Sequence, residues 1–200
     1  HAGIFIKNFA EFDPIKNIFV CDAVVWFDFD SDKIAPELIE KFSFEKGTVL
    51  YKSSPDIKLE SKRMFVKYNT TVSFKCDFNY HKFPFEDHLI PIILSNYFVT
   101  MNEMYFSVDD SSLRLNEKAI PSSWRLTDKS SNAGFSRFAL DKTNVNKCFD
   151  VPNVLFVLKI VKATTRRVVI IFIPLFAAVL LALFTFMLAL GNTSGRSMLT

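Results

Sequence analysis

The stretch from Val168 to Leu190, VVIIFIPLFAAVLLALFTFMLAL, carries no charged side chain. As a helix rising ~1.5 Å per residue it reaches ~34 Å, enough to cross a hydrocarbon core of ~30 Å. Buried core helices rarely run beyond about 14 residues without a charge, so the stretch reads as a membrane span. After Arg167 the only charge is Arg196. The chain therefore divides into a polar domain, 1–162, and a membrane segment, 163–200, with a first helix over about 167–190. The opening His1-Ala2-Gly3-Ile4 leads straight into strand-like sequence, without the pattern of a signal peptide. A second segment begins just before Thr200. The expectation is a fragment trimmed at both ends; a lone C-terminal anchor is the competing reading.

The polar part alternates with period two. Across 17–30, Phe19, Cys21, Ala23, Val25, Phe27 and Phe29 fall on one face, and Asp22, Trp26, Asp28 and Asp30 on the other. Across 71–80, Val72, Phe74, Cys76, Phe78 and Tyr80 alternate with Thr71, Ser73, Lys75, Asp77 and Asn79. Such strands place one face in a core and one in water. Further strands are expected at 4–9, 48–52, 63–68, 89–94, 104–108, 124–127, 137–140 and 154–161. One short helix is expected at 35–41. Turn signals separate them: Asp13-Pro14, Ser54-Pro55-Asp56, Phe83-Pro84, Ile120-Pro121 and Val151-Pro152. Many short strands at this spacing predict a mainly β domain, a β-sandwich or barrel. The 50% hydrophobic content excludes a disordered chain, and a net charge of +3 is too small to imply nucleic acid.

Chemistry-bearing motifs are absent: no GxGxxG, no phosphate-binding glycine loop, no HExxH, no GxSxG. No catalytic residue and no cofactor is expected. His81 and His88 are spaced wrongly for zinc and read as polar loop histidines. The adjacent acids Glu86-Asp87 and Asp109-Asp110 point to opposite faces if they lie on strands, which does not make an acid–base pair. Cys21 and Cys76 fall on apolar faces and read as small core residues, whereas Cys148 is expected to lie exposed in a polar loop.

One segment carries more. Cys76-Asp-Phe78-Asn-Tyr80-His-Lys-Phe83-Pro84-Phe85-Glu86-Asp-His88-Leu-Ile90 resembles the signature loop of the Cys-loop receptors, the pentameric ligand-gated ion channels. Phe83-Pro84-Phe85 match that signature. Glu86 stands for its aspartate, and Ile90 replaces its closing cysteine, so its disulfide cannot form; the likeness is to prokaryotic-type members. Trp26-Phe27-Asp28 is similar to the Trp-x-Asp of the family's second strand. Ser54-Pro55-Asp56 resembles its Trp-x-Pro-Asp without the tryptophan. Pro174 matches the proline of its first membrane helix, and 192–200, NTSGRSMLT, resembles the start of its pore-lining helix, at about 194–200.

The resemblance implies an immunoglobulin-like β-sandwich ligand-binding domain followed by a transmembrane α-helix. It implies a homo-oligomer of five in the inner cell membrane, with the sandwich on the periplasmic side and two further helices beyond Thr200. A small-molecule ligand would sit between subunits among aromatic side chains, often facing an amine. Tyr97, Phe98, Phe138 and Phe149 occupy the matching positions, the last two flanking a capping loop at 141–150. Phe83, Pro84, Phe85 and Glu86 would couple the domain to the pore, with Glu86 meeting Lys162. Arg196, Ser197 and Thr200 would line the start of the pore. The absence of an acid from Gly191 to Arg196 leans away from cation selectivity. The alternative function is a single-span periplasmic sensor or binding domain of a signalling protein.

Overall fold

Period-two alternation governs the first unit, His1–Lys162. The structure, a computed structural model, describes residues 1–13, 15–76, 87–116, 118–140, 148–163 and 165–196. In chain order the first unit holds β1 (Ala2–Asp13), β2 (Ile18–Asp30), α1 (Pro36–Glu40), β3 (Ser43–Glu45), β4 (Gly47–Lys52), β5 (Asp56–Glu60), β6 (Arg63–Lys75), β7 (Asp87–Ser95), β8 (Leu113–Leu115), β9 (Trp124–Ala139) and β10 (Cys148–Lys162). The chain is mainly β, in two sheets. One has the order β4-β6-β2-β1-β8, with β5 also on β6; the other runs β3-β7-β10-β9. Every pairing is antiparallel except β1 with β8.

The inner faces of both sheets share one core, as a β-sandwich does. On β2, Phe19, Cys21, Ala23, Val25, Phe27 and Phe29 are all buried, as the alternation predicts. They meet Val66, Tyr68, Val72 and Phe74 of β6 and, from the second sheet, Ile90, Ile92, Leu94, Val154, Phe156 and Leu158. Phenylalanine is the main filler. Phe19 stacks on Phe74 with centroids 4.8 Å apart, and Phe42 meets Phe44 edge-on at 5.9 Å. Such pairs add ~0.5–1.5 kcal/mol each beyond their buried area. Cys21 and Cys76 are buried and Cys148 is exposed, but it stands on β10 rather than in a loop, so 148–150 of the expected capping loop are strand and 141–147 lie outside the described residues. The Cys76 thiol donates to the Leu89 carbonyl at 3.8 Å.

Several expectations change. The segment 63–68 and the 71–75 part of the expected 71–80 strand form the single strand β6, with 77–80 outside the described residues, and 124–127 and 137–140 are the two ends of β9. Val151-Pro152 is no turn: both residues lie within β10, paired with Ser136 and Phe135 of β9. The 104–108 segment is not a strand; Met104 and Phe106 are buried from an irregular connection. β3, β5 and β8 carry no strand signal strong enough to read from sequence. His88 is no loop histidine. It lies on β7 with its side chain buried, in phase with Ile90, Ile92 and Leu94, and its ring sits 5.3 Å from that of Trp124. Pro91 is tolerated on β7 because β3 pairs only with Ile93–Ser95. Opposite Pro91 that side of β7 is an edge, where no N–H is required.

The second unit, Ala163–Thr200, contains α2 (Thr165–Arg196) with Pro174 inside it. Side chains are described at 169, 170 and 172–188, and all are exposed. The Thr185 hydroxyl donates back to the Ala182 carbonyl at 2.9 Å, so it leaves no polar group unsatisfied. Among the described residues no helix is long and apolar enough to cross a membrane.

Candidate functional site

The second sheet places three of the four aromatic candidates together. β10 and β9 pair Phe149 directly with Phe138, whose rings stack with centroids 5.4 Å apart. The Tyr97 ring follows at 5.9 Å from Phe138. The row is half open to solvent: Tyr97 is 44% and Phe149 39% exposed. Exposure on this scale for three touching rings is unusual, because side chains of this size gain most by burial. Phe98, 63% exposed, is held elsewhere; the Lys41 ammonium lies 4.9 Å from its ring centroid.

Asn96 fixes the turn that carries Tyr97 and Phe98. It is fully buried. Its side-chain Nδ2 donates to the Leu38 carbonyl at 2.7 Å, its Oδ1 accepts from the Phe98 N–H at 3.0 Å, and its own N–H donates to the Pro152 carbonyl at 3.2 Å. One side chain thus ties the end of β7 to α1 and to the following residues. A buried amide with these partners satisfied is a rigid anchor. Ser95, also buried, donates to Glu45 Oε1 at 2.9 Å. The tyrosine hydroxyl of Tyr97 is raised above its ordinary value, first by burial and then by the Glu45 carboxylate. It stays protonated at neutral pH, and Glu45 adds negative potential beside the ring row.

Arg137 and Asp150, the next cross-strand pair, clamp the same end of the β9–β10 ladder. Arg137 Nε meets Asp150 Oδ1 at 2.7 Å and its second nitrogen meets Oδ2 at 2.9 Å. The guanidinium holds the Asp150 carboxyl below its usual value, and the carboxylate raises Arg137 in turn. Asn96, Glu45, Lys41, Arg137 and Asp150 were not among the sequence candidates. Asn96 alone had a local signal, a polar residue ending an apolar strand; the others act through distant partners.

The coupling candidates fare differently. Phe83, Pro84, Phe85 and Glu86 lie outside the described residues, as do Ser197 and Thr200; Arg196 ends α2, its side chain likewise outside. Lys162 is paired with Trp124 in the β9–β10 ladder, its ammonium 5.7 Å from that ring centroid. Trp124 in turn meets Phe12 edge-on at 5.5 Å and lies beside His88. Among the described residues no cluster of His, Cys, Asp and Glu could hold a metal ion.

No protein-family model matches this chain, and no curated protein matches it.

Proposed function

We propose that this chain is a subunit of a pentameric ligand-gated ion channel of the prokaryotic type. Its first unit is an immunoglobulin-like ligand-binding sandwich, and its second crosses the inner membrane and begins the pore. The observation that carries the reading is the conjunction, in one chain, of the half-open Tyr97–Phe138–Phe149 row with an uncharged run from Val168 to Leu190. The segment from Cys76 to Ile90, with its Phe83-Pro84-Phe85, supports it from the sequence side.

The ligand class follows from the site's electrostatics. Ring faces carry negative potential and attract cations, worth about 0.5–2 kcal/mol per ring depending on desolvation. Glu45 adds a carboxylate nearby, while Asp150 is already matched by Arg137. A small organic ammonium therefore suits the row better than an anion. In a ring of subunits, the solvent-open side of the row faces the neighbouring copy, which closes the site.

Tyr97→Ala tests the reading. Ligand-evoked current through the channel reconstituted in planar bilayers should require at least tenfold more agonist, equal to ~1.4 kcal/mol, with assembly unchanged. An unaltered concentration–response curve removes Tyr97 from the site. The single-span sensor is favoured instead if the purified protein conducts no ions under any ligand yet binds an amine through the same row.

A further inference from the structure

The strongest unused feature is a lysine enclosed by aromatic rings. Lys52 ends β4, at the edge of the first sheet, and its stem is half-buried. Its ammonium lies 4.2 Å from the Phe42 ring centroid and 4.9 Å from that of Tyr68, and donates to the Glu40 carbonyl oxygen. Both rings are buried. Glu40 is the last residue of α1, a helix that has no basic residue in its own last turn. The cation at its C-terminal end comes from β4 instead. The end of β4 is itself pinned: the Ser53 N–H donates to the Asn69 carbonyl at 2.9 Å, and Ser53 Oγ accepts from the Asn69 N–H at 3.0 Å.

α1 is five residues long and has no side-chain hydrogen bond at its N-cap. A helix this short does not hold itself together, so its position is set by what grips it. Lys52 grips Glu40 from one sheet. Asn96 grips Leu38 from the other, and the same Asn96 accepts from the Phe98 N–H. Lys41, the next residue after α1, lies against the Phe98 ring. The end of α1 is thus a small piece that the first sheet and the Tyr97–Phe98 turn both hold.

We propose that Lys52 is a positioning residue for the Tyr97–Phe98 turn, acting through the C-terminal carbonyls of α1, and that its positive charge is what the cage of Phe42, Tyr68 and the Glu40 carbonyl selects. Its meaning for ligand binding rests on the channel reading above; the geometric claim does not. A neutral, unbranched side chain without a donor, such as Met, keeps most of the packing but loses both the ring attraction and the donor. Arginine keeps both. The functional consequence is that the first sheet sets the tilt of the Tyr97 ring without touching it.

The test uses the full chain in lipid nanodiscs, labelled with 3-fluorotyrosine and read by fluorine NMR without any ligand. The Tyr97 signal is identified by its loss in Tyr97→Phe, and exposed Tyr105 serves as the control. In Lys52→Met the Tyr97 signal should move by more than its linewidth or split, while Tyr105 stays in place. In Lys52→Arg the Tyr97 signal should return to the wild-type position. If Lys52→Met does not fold, Lys52→Leu, which also lacks charge and donor, is scored by the same rule. A Tyr97 signal that stays at its wild-type position in the neutral variant, with only Tyr68 displaced, would overturn the proposal. So would a Lys52→Arg signal displaced like that of Lys52→Met. Because no ligand or current is involved, failure here leaves the channel reading intact, and failure of the channel reading leaves this result intact.

Discussion

Gly3 has no side chain because Trp26 occupies the space one would need. The two residues face each other across β1 and β2, and a Cβ on Gly3 would lie 2.3 Å from the indole carbons. The indole is held from its other side by Phe65, stacked at 5.9 Å. Gly3→Ala must push the indole off its seat or open the β1–β2 ladder. Overpacking of this kind costs about 1–3 kcal/mol, so thermal unfolding should shift down by several degrees and the tryptophan emission should change. An unchanged midpoint would mean that the indole moves freely. Thiol chemistry tests the other prominent residues. Burial pushes the Cys21 thiol up to about 12, and Cys76 is buried too, whereas Cys148 is exposed. Native protein should therefore react with one equivalent of a thiol reagent quickly, and with three only after unfolding. The alternation of Phe19 through Phe29 told in advance which side of Cys21 faces the core. Nothing local announced the Gly3–Trp26 contact, because it depends on the register between two strands.

At the scale of elements, what was legible depended on whether a strand has one wet face. β2 and β6 lie inside their sheet, so burial imposes a clean period of two on them. Among the described residues β9 is an edge strand that pairs only with β10. Its middle, Asp128-Lys129-Ser130-Ser131-Asn132, is exposed or nearly so and reads as a loop, so only its two ends were visible as strands. β5 is exposed along its whole length and reads the same way. The aromatic row was half legible. Phe138 and Phe149 are eleven residues apart in sequence and meet because β9 and β10 pair there, whereas Asn96 and Lys52 work through carbonyls of α1 that no motif marks. The Arg137–Asp150 clamp gives this element a pH response. Asp150 is held below the ordinary carboxylate value of 3.8 by Arg137. A depressed folded value means that the clamp contributes fully above that ordinary value and is lost as pH falls through the lower folded one. The pair is exposed, so the global effect is small, but the ring signals of Phe138 and Phe149 should shift below pH ~4. Asp150→Asn should give the acid-form shifts at neutral pH. Ring signals that ignore both changes would mean the clamp does not position the row.

For the molecule as a whole, the sandwich and the apolar helix follow from two different patterns, period two and the loss of charge, and each unit is legible by itself. The number of copies, five, rests on the sequence resemblance alone, since neither pattern bears on it. The row Tyr97–Phe138–Phe149 is open on the side where solvent reaches it, and the edge strands β4 and β5 expose Leu50, Tyr51, Ile57 and Leu59. A monomer that leaves such edges bare is exposed to edge-to-edge association. In the proposed channel, copies arranged head to tail close into a ring and cover both features. The central claim is therefore most directly tested by native mass measurement of the protein purified from membranes in mild detergent. The account predicts a complex of five identical chains that persists on dilution. A stable monomer would contradict it.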